Sequence, residues 1–198
     1  MDSTEMKRLI AHYLRYDLGC PILATETASS LNTSFNDGGS ADLLAVNKRG
    51  YLIEVEVKIS LADLRADRKK SKHEYFRKLI GLPYKNTQMR FGQEVAREPS
   101  IYPTHFFYFA VPFEISNESK LICDELYPYA GLLSNQRDWY GNVFSRKEPK
   151  RLNPSKISLL QATRLAKAQS ATIVRLMDEM ANLKNYLPAP IHGNEDMR

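Results

Sequence analysis

Apolar residues recur along this chain in three distinct rhythms, and each rhythm predicts a different kind of element. Met6, Leu9, Ile10, Tyr13 and Leu14 fall at helical spacing, so residues 3–18 are expected to form an amphipathic helix. Asp2 followed by Glu5 has the form of a capping box at its start, and Gly19 can close its end. The apolar run after Pro21 predicts a strand at 22–28. Residues 32–40 have the composition of a loop. Alternating and apolar runs predict strands at 41–47 and 51–59, separated by Lys48-Arg49-Gly50. A charge-rich helix is expected from 61 to about 79. Residues 81–104 hold Pro83, Pro99 and Pro103 with little periodicity, and read as a long irregular connection. A buried strand should follow at 105–111, ended by Pro112, with short edge strands at 132–133 and 142–144. A long helix is expected over 155–185, and from Pro188 onward a tail.

This order of elements predicts an α/β fold in which a central mixed β-sheet is flanked by helices, with a long C-terminal helix added. At 198 residues the chain suits one domain, 1–186, with its core at about 20–135, a helical part at about 155–185 and a tail at 187–198. Cys20 and Cys123 are too few for a disulfide framework and cannot build a zinc site alone. The apolar run at 105–113 is far short of a membrane span, and the N-terminus lacks signal-peptide order. The expectation is a cytoplasmic protein with reduced thiols that does not engage a membrane.

The register of the hairpin at 41–59 carries the first chemical hint. A three-residue loop with Gly50 as its left-handed residue sets Leu43 against Val55, Ala45 against Ile53 and Ala41 against Val57, an apolar face. On the other face Val46 meets Leu52, Leu44 meets Glu54, Asp42 meets Glu56 and Ser40 meets Lys58. A slip of one residue would scatter these faces. Opposed side chains have Cβ atoms about 4.5–5.5 Å apart, so Asp42 and Glu56 would repel unless a cation lay between them. Mg²⁺ suits two carboxylates, and the carbonyl of Val57 is a further candidate ligand. Lys58 would point to the same face, where an ammonium can neutralise a phosphate or orient a water. The residues alone leave two readings open, a metal site fit for phosphodiester hydrolysis and a solvated edge strand.

The net charge is +5. Seven basic residues, among them Arg65, Arg68, Lys69 and Lys72, stand against two acidic ones in residues 65–78, and eight against two in residues 137–167. Such clusters suit a polyanion, although a solvated helix face has the same composition. Arg137, Trp139 and Tyr140 offer stacking groups for exposed bases or an ordinary core pair, and Arg164 and Lys167 face either phosphate or water.

Asp42 followed by Glu56-Val57-Lys58 resembles the signature of the PD-(D/E)XK nuclease superfamily, with Ala41 where a proline usually precedes the aspartate. The stretches 40–46, 54–60, 63–73, 105–112 and 129–133, taken in order, resemble the MmcB-type proteins, assigned as DNA-repair endonucleases, and related phage or prophage proteins. The resemblance covers residues 26–133. It implies a restriction-endonuclease-like core and a Mg²⁺-dependent endonuclease, with Mn²⁺ as a substitute. Asp42 and Glu56 would be metal ligands, Lys58 the catalytic lysine, and Glu26 (or Glu5 on the first helix) an upstream catalytic acid. Asp67, Lys69, Lys72 and His73 match a motif that borders the site, the basic ones as contacts to nucleic acid, DNA first of all. His73 as a packed or capping residue is the other reading. The alternative is a catalytically silent nucleic-acid-binding module or a phage-type interaction factor on the same fold. A homodimer is compatible with either.

Overall fold

The computed structural model describes residues 1–28, 40–82, 87–90, 93–96, 103–136 and 142–186. Asp2 caps the first helix, α1 (Ser3–His12), by accepting the N–H of Glu5 at 2.8 Å; a π-turn at Tyr13–Asp17 continues it. The strands are β1 (Ile22–Ala28), β2 (Ser40–Val46) and β3 (Leu52–Val57). After β3 come α2 (Leu61–Ala66), a 3₁₀ turn at Asp67–Lys69, and α3 (Ser71–Leu79). β4 (Thr87–Arg90) and β5 (Gln93–Ala96) form a separate antiparallel pair. The chain then runs through β6 (Phe106–Val111), a 3₁₀ turn at Phe113–Ile115, α4 (Ser116–Leu126), β7 (Gly131–Asn135), β8 (Val143–Lys147) and α5 (Leu159–Tyr186).

Six strands form one mixed sheet in the order β1-β2-β3-β6-β7-β8. β2 is antiparallel to β1 and β3, β6 is parallel to β3 and β7, and β8 closes the edge antiparallel to β7. Alternation sorts the side chains onto two faces. Met6 and Ile10 of α1, with Leu14 of the π-turn, pack on Leu43, Ala45, Ile53, Val55 and Val57. On the opposite face Leu165 of α5 covers Ala24, Leu44, Val46 and Leu52. Beside it Leu64 and Phe76, with α4, cover Phe107, Phe109, Val111, Tyr127, Tyr129 and Leu132. The fold is therefore the expected α/β class with helices on both faces of a central mixed sheet.

The hairpin has the expected three-residue loop. Gly50 sits at φ 81°, Asn47 donates its N–H to Tyr51, and the ladder runs from Val46↔Leu52 to Leu43↔Val55. It stops there, so Asp42 and Glu56 are not a ladder pair. β3 ends at Val57, where a strand to residue 59 was expected.

Other expectations need correction. The single helix over 61–79 is two, because Lys70 is extended (ψ 134°) after the 3₁₀ turn. The irregular connection holds β4 and β5. Residues 132–133 belong to an interior strand, buried throughout, with β8 outside it. α4 went unseen because two of the residues it buries, Ser116 and Ser119, are polar, so no apolar stripe marks it. The C-terminal helix starts at Leu159, not 155. Arg137, Trp139, Tyr140 and the 187–198 tail lie outside the described residues.

Gly131 is the tightest point in the sheet. A Cβ there would meet the Tyr108 ring at 2.5 Å and the backbone carbonyl of Lys147 at 2.9 Å, from the strands on either side. Gly131→Ala is expected to destabilise the fold by about 1–3 kcal/mol, read as a lower urea midpoint at unchanged slope. An unchanged midpoint would mean that β6 and β8 separate freely there.

Candidate functional site

Position 56 faces the helices that follow β3, and the chain supplies its counter-charges locally. Glu54, Glu56 and Lys58 alternate onto one face, only 3–5% exposed. The extended residue Lys70 ends the 3₁₀ turn and α3 begins directly after it, so Lys70 and Lys72 come down over these carboxylates from above. The Lys72 ammonium lies 2.8 Å from Glu54 Oε1, 2.5 Å from Glu56 Oε1 and 5.1 Å from the Phe107 ring centre. Lys70 reaches Glu56 Oε2 at 3.0 Å and Asp67 Oδ1 at 2.7 Å. Lys58 reaches Asp67 Oδ1 at 2.6 Å, Glu56 Oε2 at 3.5 Å and Asp63 at 3.8 Å. Thr104 donates its hydroxyl to the second oxygen of Glu54 at 2.5 Å.

The network continues into the aromatic core. Asp67 Oδ2 lies 2.6 Å from His73 Nε2, and His73 Nδ1 lies 2.6 Å from the Tyr129 hydroxyl. An ionised Asp67 only accepts, so Nε2 carries the proton and Nδ1 accepts from Tyr129. Burial pushes the His73 pKa down, and Asp67 only partly offsets it, so the ring is neutral. Burial pushes Asp67 up, but hydrogen bonds from His73, Lys58 and Lys70 outweigh it and hold the carboxyl far below its usual range. Glu56 follows the same balance: burial raises it, and the charges of Lys72 and Lys70 bring it below its usual value. Burial lowers Lys72, and Glu54 and Glu56 more than reverse that, so its pKa is raised. Three buried acids, Glu54, Glu56 and Asp67, thus stand against three lysines.

Asp42 sits apart from this cluster. Its Oδ2 accepts the N–H of Val57 at 2.8 Å, and its Oδ1 pairs with Lys7 of α1 at 3.0 Å. The carboxylate is therefore fixed to the middle residue of Glu56-Val57-Lys58, while its cation comes from the other face of the sheet. The structure brings Glu56 and Lys58 together and leaves Asp42 beside the strand end without direct contact to Glu56. Glu26 lies on β1, and its side chain is outside the described residues; Glu5 is partly exposed and bound to Arg8. Arg65, Arg68 and Lys69 are exposed, as a polyanion contact requires. Lys72 and His73 are not: both are buried and engaged, and the expected contact with nucleic acid does not suit them. Glu54, Thr104 and Tyr129 were not anticipated as members. The Glu54-x-Glu56-x-Lys58 alternation was the available signal for Glu54; nothing local marks the other two.

Carboxylate oxygens are the donors that Mg²⁺ takes. Among the described residues no group of three or more His, Cys, Asp or Glu side chains surrounds a common point. Glu56 and Asp67 nonetheless already share a cation, the ammonium of Lys70, whose side chain is 39% exposed. Two carboxylates about one point are donor chemistry that a divalent ion also accepts, and in this structure the Lys70 ammonium holds that point.

No family model and no curated protein matches the chain. Among solved structures it is similar to a protein of unknown function from Silicibacter pomeroyi, with TM-score 0.54 and 15% identity over 92% of each chain. That likeness shows the fold alone. No helix among the described residues is long and apolar enough to cross a membrane.

Two outcomes follow from the charge balance. Lys72→Met leaves Glu54 and Glu56 buried with less compensation and should cost about 3–5 kcal/mol of stability, measured by urea unfolding. The folded pKa values of His73, Glu56 and Asp67 all lie below their unfolded ones. Their contributions are complete above about pH 6.5 for the imidazole and above about pH 4 for the carboxylates, and are lost as pH falls through the folded values. The melting temperature should therefore fall steadily on acidification below about pH 6.5, with a shallower acid limb in Asp67→Asn. A flat profile from pH 7 to 4 would contradict this arrangement.

Proposed function

We propose that this protein is a divalent-metal-dependent nuclease of the PD-(D/E)XK kind, related to the MmcB-type proteins, that hydrolyses phosphodiester bonds of DNA. The observation that carries the reading is the strand end of β3. Glu56 and Lys58 are buried there and in contact, and the Asp42 carboxylate is held on the N–H of the residue between them. The similarity of the whole fold to another α/β protein adds nothing about activity.

In this reading Glu56, with Asp42 or Asp67, would hold the metal. A bound Mg²⁺ would polarise the phosphate and lower the pKa of a coordinated water. The ammonium of Lys58 is fixed by Asp67, and in this reading its charge would meet the negative charge that grows during attack at phosphorus. His73 and Tyr129 hold Asp67 from behind and so keep Lys58 from drifting. Arg65, Arg68 and Lys69, exposed on α2 and the turn after it, would meet the phosphates of the strand.

A second reading is favoured by the charge count. Glu56 is neutralised by this chain's own lysines, so the fold needs no metal for balance, and a catalytically silent nucleic-acid-binding module is consistent with it.

Plasmid and single-stranded DNA incubated with the purified protein and Mg²⁺ or Mn²⁺ should be cleaved, and chelation should stop cleavage. Glu56→Gln and Lys58→Ala should each lower the rate by on the order of 10²-fold or more. Undiminished cleavage by both variants would sink this site. Salt-dependent DNA binding without cleavage, and without any metal-induced rise in melting temperature, would select the silent module.

A further inference from the structure

At the end of the sheet away from Glu56, cations gather without acids. Strands β3, β6 and β7 run parallel, so their first residues share one end. The β2–β3 turn and the segment after β8 meet there. Lys48 and Arg49 come from the turn, and Lys150, Arg151 and Lys156 from the segment; all five are exposed. The backbone beneath them is fixed. Asn47 accepts the N–H groups of Arg49 and Tyr51 on its side-chain oxygen at 2.9 and 3.1 Å. The N–H groups of Lys150, Leu152 and Ile157 donate to the carbonyls of Tyr129, His105 and Gly50 at 2.9, 2.9 and 3.1 Å. The Lys156 stem lies against Gly50, where a Cβ would meet its Cδ at 3.5 Å, and the Lys48 stem crosses Gly19. Arg151 holds its guanidinium 4.5 Å from the Tyr51 ring centre, with Nε donating to the Asn153 carbonyl at 3.0 Å. Among the described residues none of the five is in an ion pair. By contrast Arg8, Lys120 and Arg175 each pair with an acid one turn away in their own helices.

We propose that this end of the sheet is a docking surface for a nucleic-acid backbone, separate from the Glu56 cluster. Six residues of extended chain part Gly50 from Glu56, about 20 Å along β3. The chemistry of the surface selects the partner. Lysine is depleted where proteins meet proteins, and the centre of such an interface is poor in charge. Interfaces with nucleic acid are strongly positive, and phosphates are met by lysine, arginine and ordered backbone. Four of the five cations flank a tight turn or a pinned loop, so their stems are placed before a partner arrives, and Arg151 is aimed by the Tyr51 ring. A lipid surface matches less well, because its cations belong on an amphipathic helix beside apolar groups that insert. The apolar groups within reach are Leu159 and Leu160, exposed just beyond Lys156. The inference shares a partner with the nuclease reading but not a site: binding here needs neither a metal nor Glu56.

Fluorescence anisotropy of a labelled duplex of about 20 base pairs, titrated with the full chain in EDTA from about 0.05 to about 0.2 M salt, tests it. The expected result is binding that weakens steeply with salt. Lys48→Ser, Arg49→Ser and Lys156→Ser together should raise Kd roughly tenfold or more and flatten the log–log salt slope by about two to three. The three sites are exposed and unpaired, so the melting temperature should hold. Arg8→Ser, Lys120→Ser and Arg175→Ser remove the same net charge elsewhere and should leave Kd within about twofold. Absence of binding overturns the proposal, and so does equal weakening by both triple variants, which would mean that only total charge is read. Binding that is lost with Arg65, Arg68 and Lys69 neutralised but indifferent to the turn-end triple overturns it as well. A chain that ignores DNA yet sediments with anionic phosphatidylserine vesicles, and no longer does so as Leu159→Ser with Leu160→Ser, assigns the surface to lipid instead. Binding through the turn-end cations by a chain that never cleaves upholds this surface and rejects the nuclease reading alone.

Discussion

Three ammonium groups paired with three carboxylates, Glu54 and Glu56 on the inward face of β3 and Asp67 in the turn above it, are the constraint that organises this molecule. Glu54 and Glu56 lie in the middle of a six-stranded sheet, beside Phe107 and Phe109, where an unpaired charge would be prohibitive. Keeping them there requires Lys70 and Lys72 to arrive from above, and that fixes the path of the chain after β3. The 3₁₀ turn and the extended Lys70 interrupt what would otherwise be one helix, and the interruption points both lysines at the sheet. His73, one residue on, then falls between Asp67 and Tyr129 and ties the polar network to the aromatic core around Phe76.

Much of this was legible in the sequence, for physical reasons that differ by element. The β2–β3 hairpin was readable because period-2 alternation and a single turn glycine fix register, and every pair from Leu43↔Val55 to Val46↔Leu52 follows. The prediction failed one residue further. Extending the ladder assumes that two strands stay paired to their ends, whereas Asp42 uses its carboxylate to satisfy the Val57 N–H. Local periodicity contains no information about where a ladder yields to a side chain.

The lysines show the opposite limit. A run with seven basic residues reads as a surface that attracts polyanions, and for Arg65, Arg68 and Lys69 exposure agrees with that. Lys72 carries the same charge and lies buried among acids 16 and 18 residues earlier in the chain. Composition cannot separate a cation that faces solvent from one that completes a buried pair, because the difference is made by residues distant in sequence. Thr104 and Tyr129 joined the network unannounced for the same reason, at separations of 50 and 56 residues from their partners.

The neutrality of the cluster also shapes what its chemistry can be. A carboxylate surrounded by fixed lysines is stable without a metal, yet its cations differ in how firmly they are held. Lys72 is enclosed by Glu54, Glu56 and Phe107, and Lys58 is enclosed by Asp67 and Glu56. Lys70 alone of the three is substantially exposed, and its charge bridges Glu56 and Asp67. The pairs of Lys58 and Lys72 do not involve that ammonium. The network thus has an enclosed part that keeps β3 buried and one cation that meets solvent, and a single difference in side-chain exposure separates them.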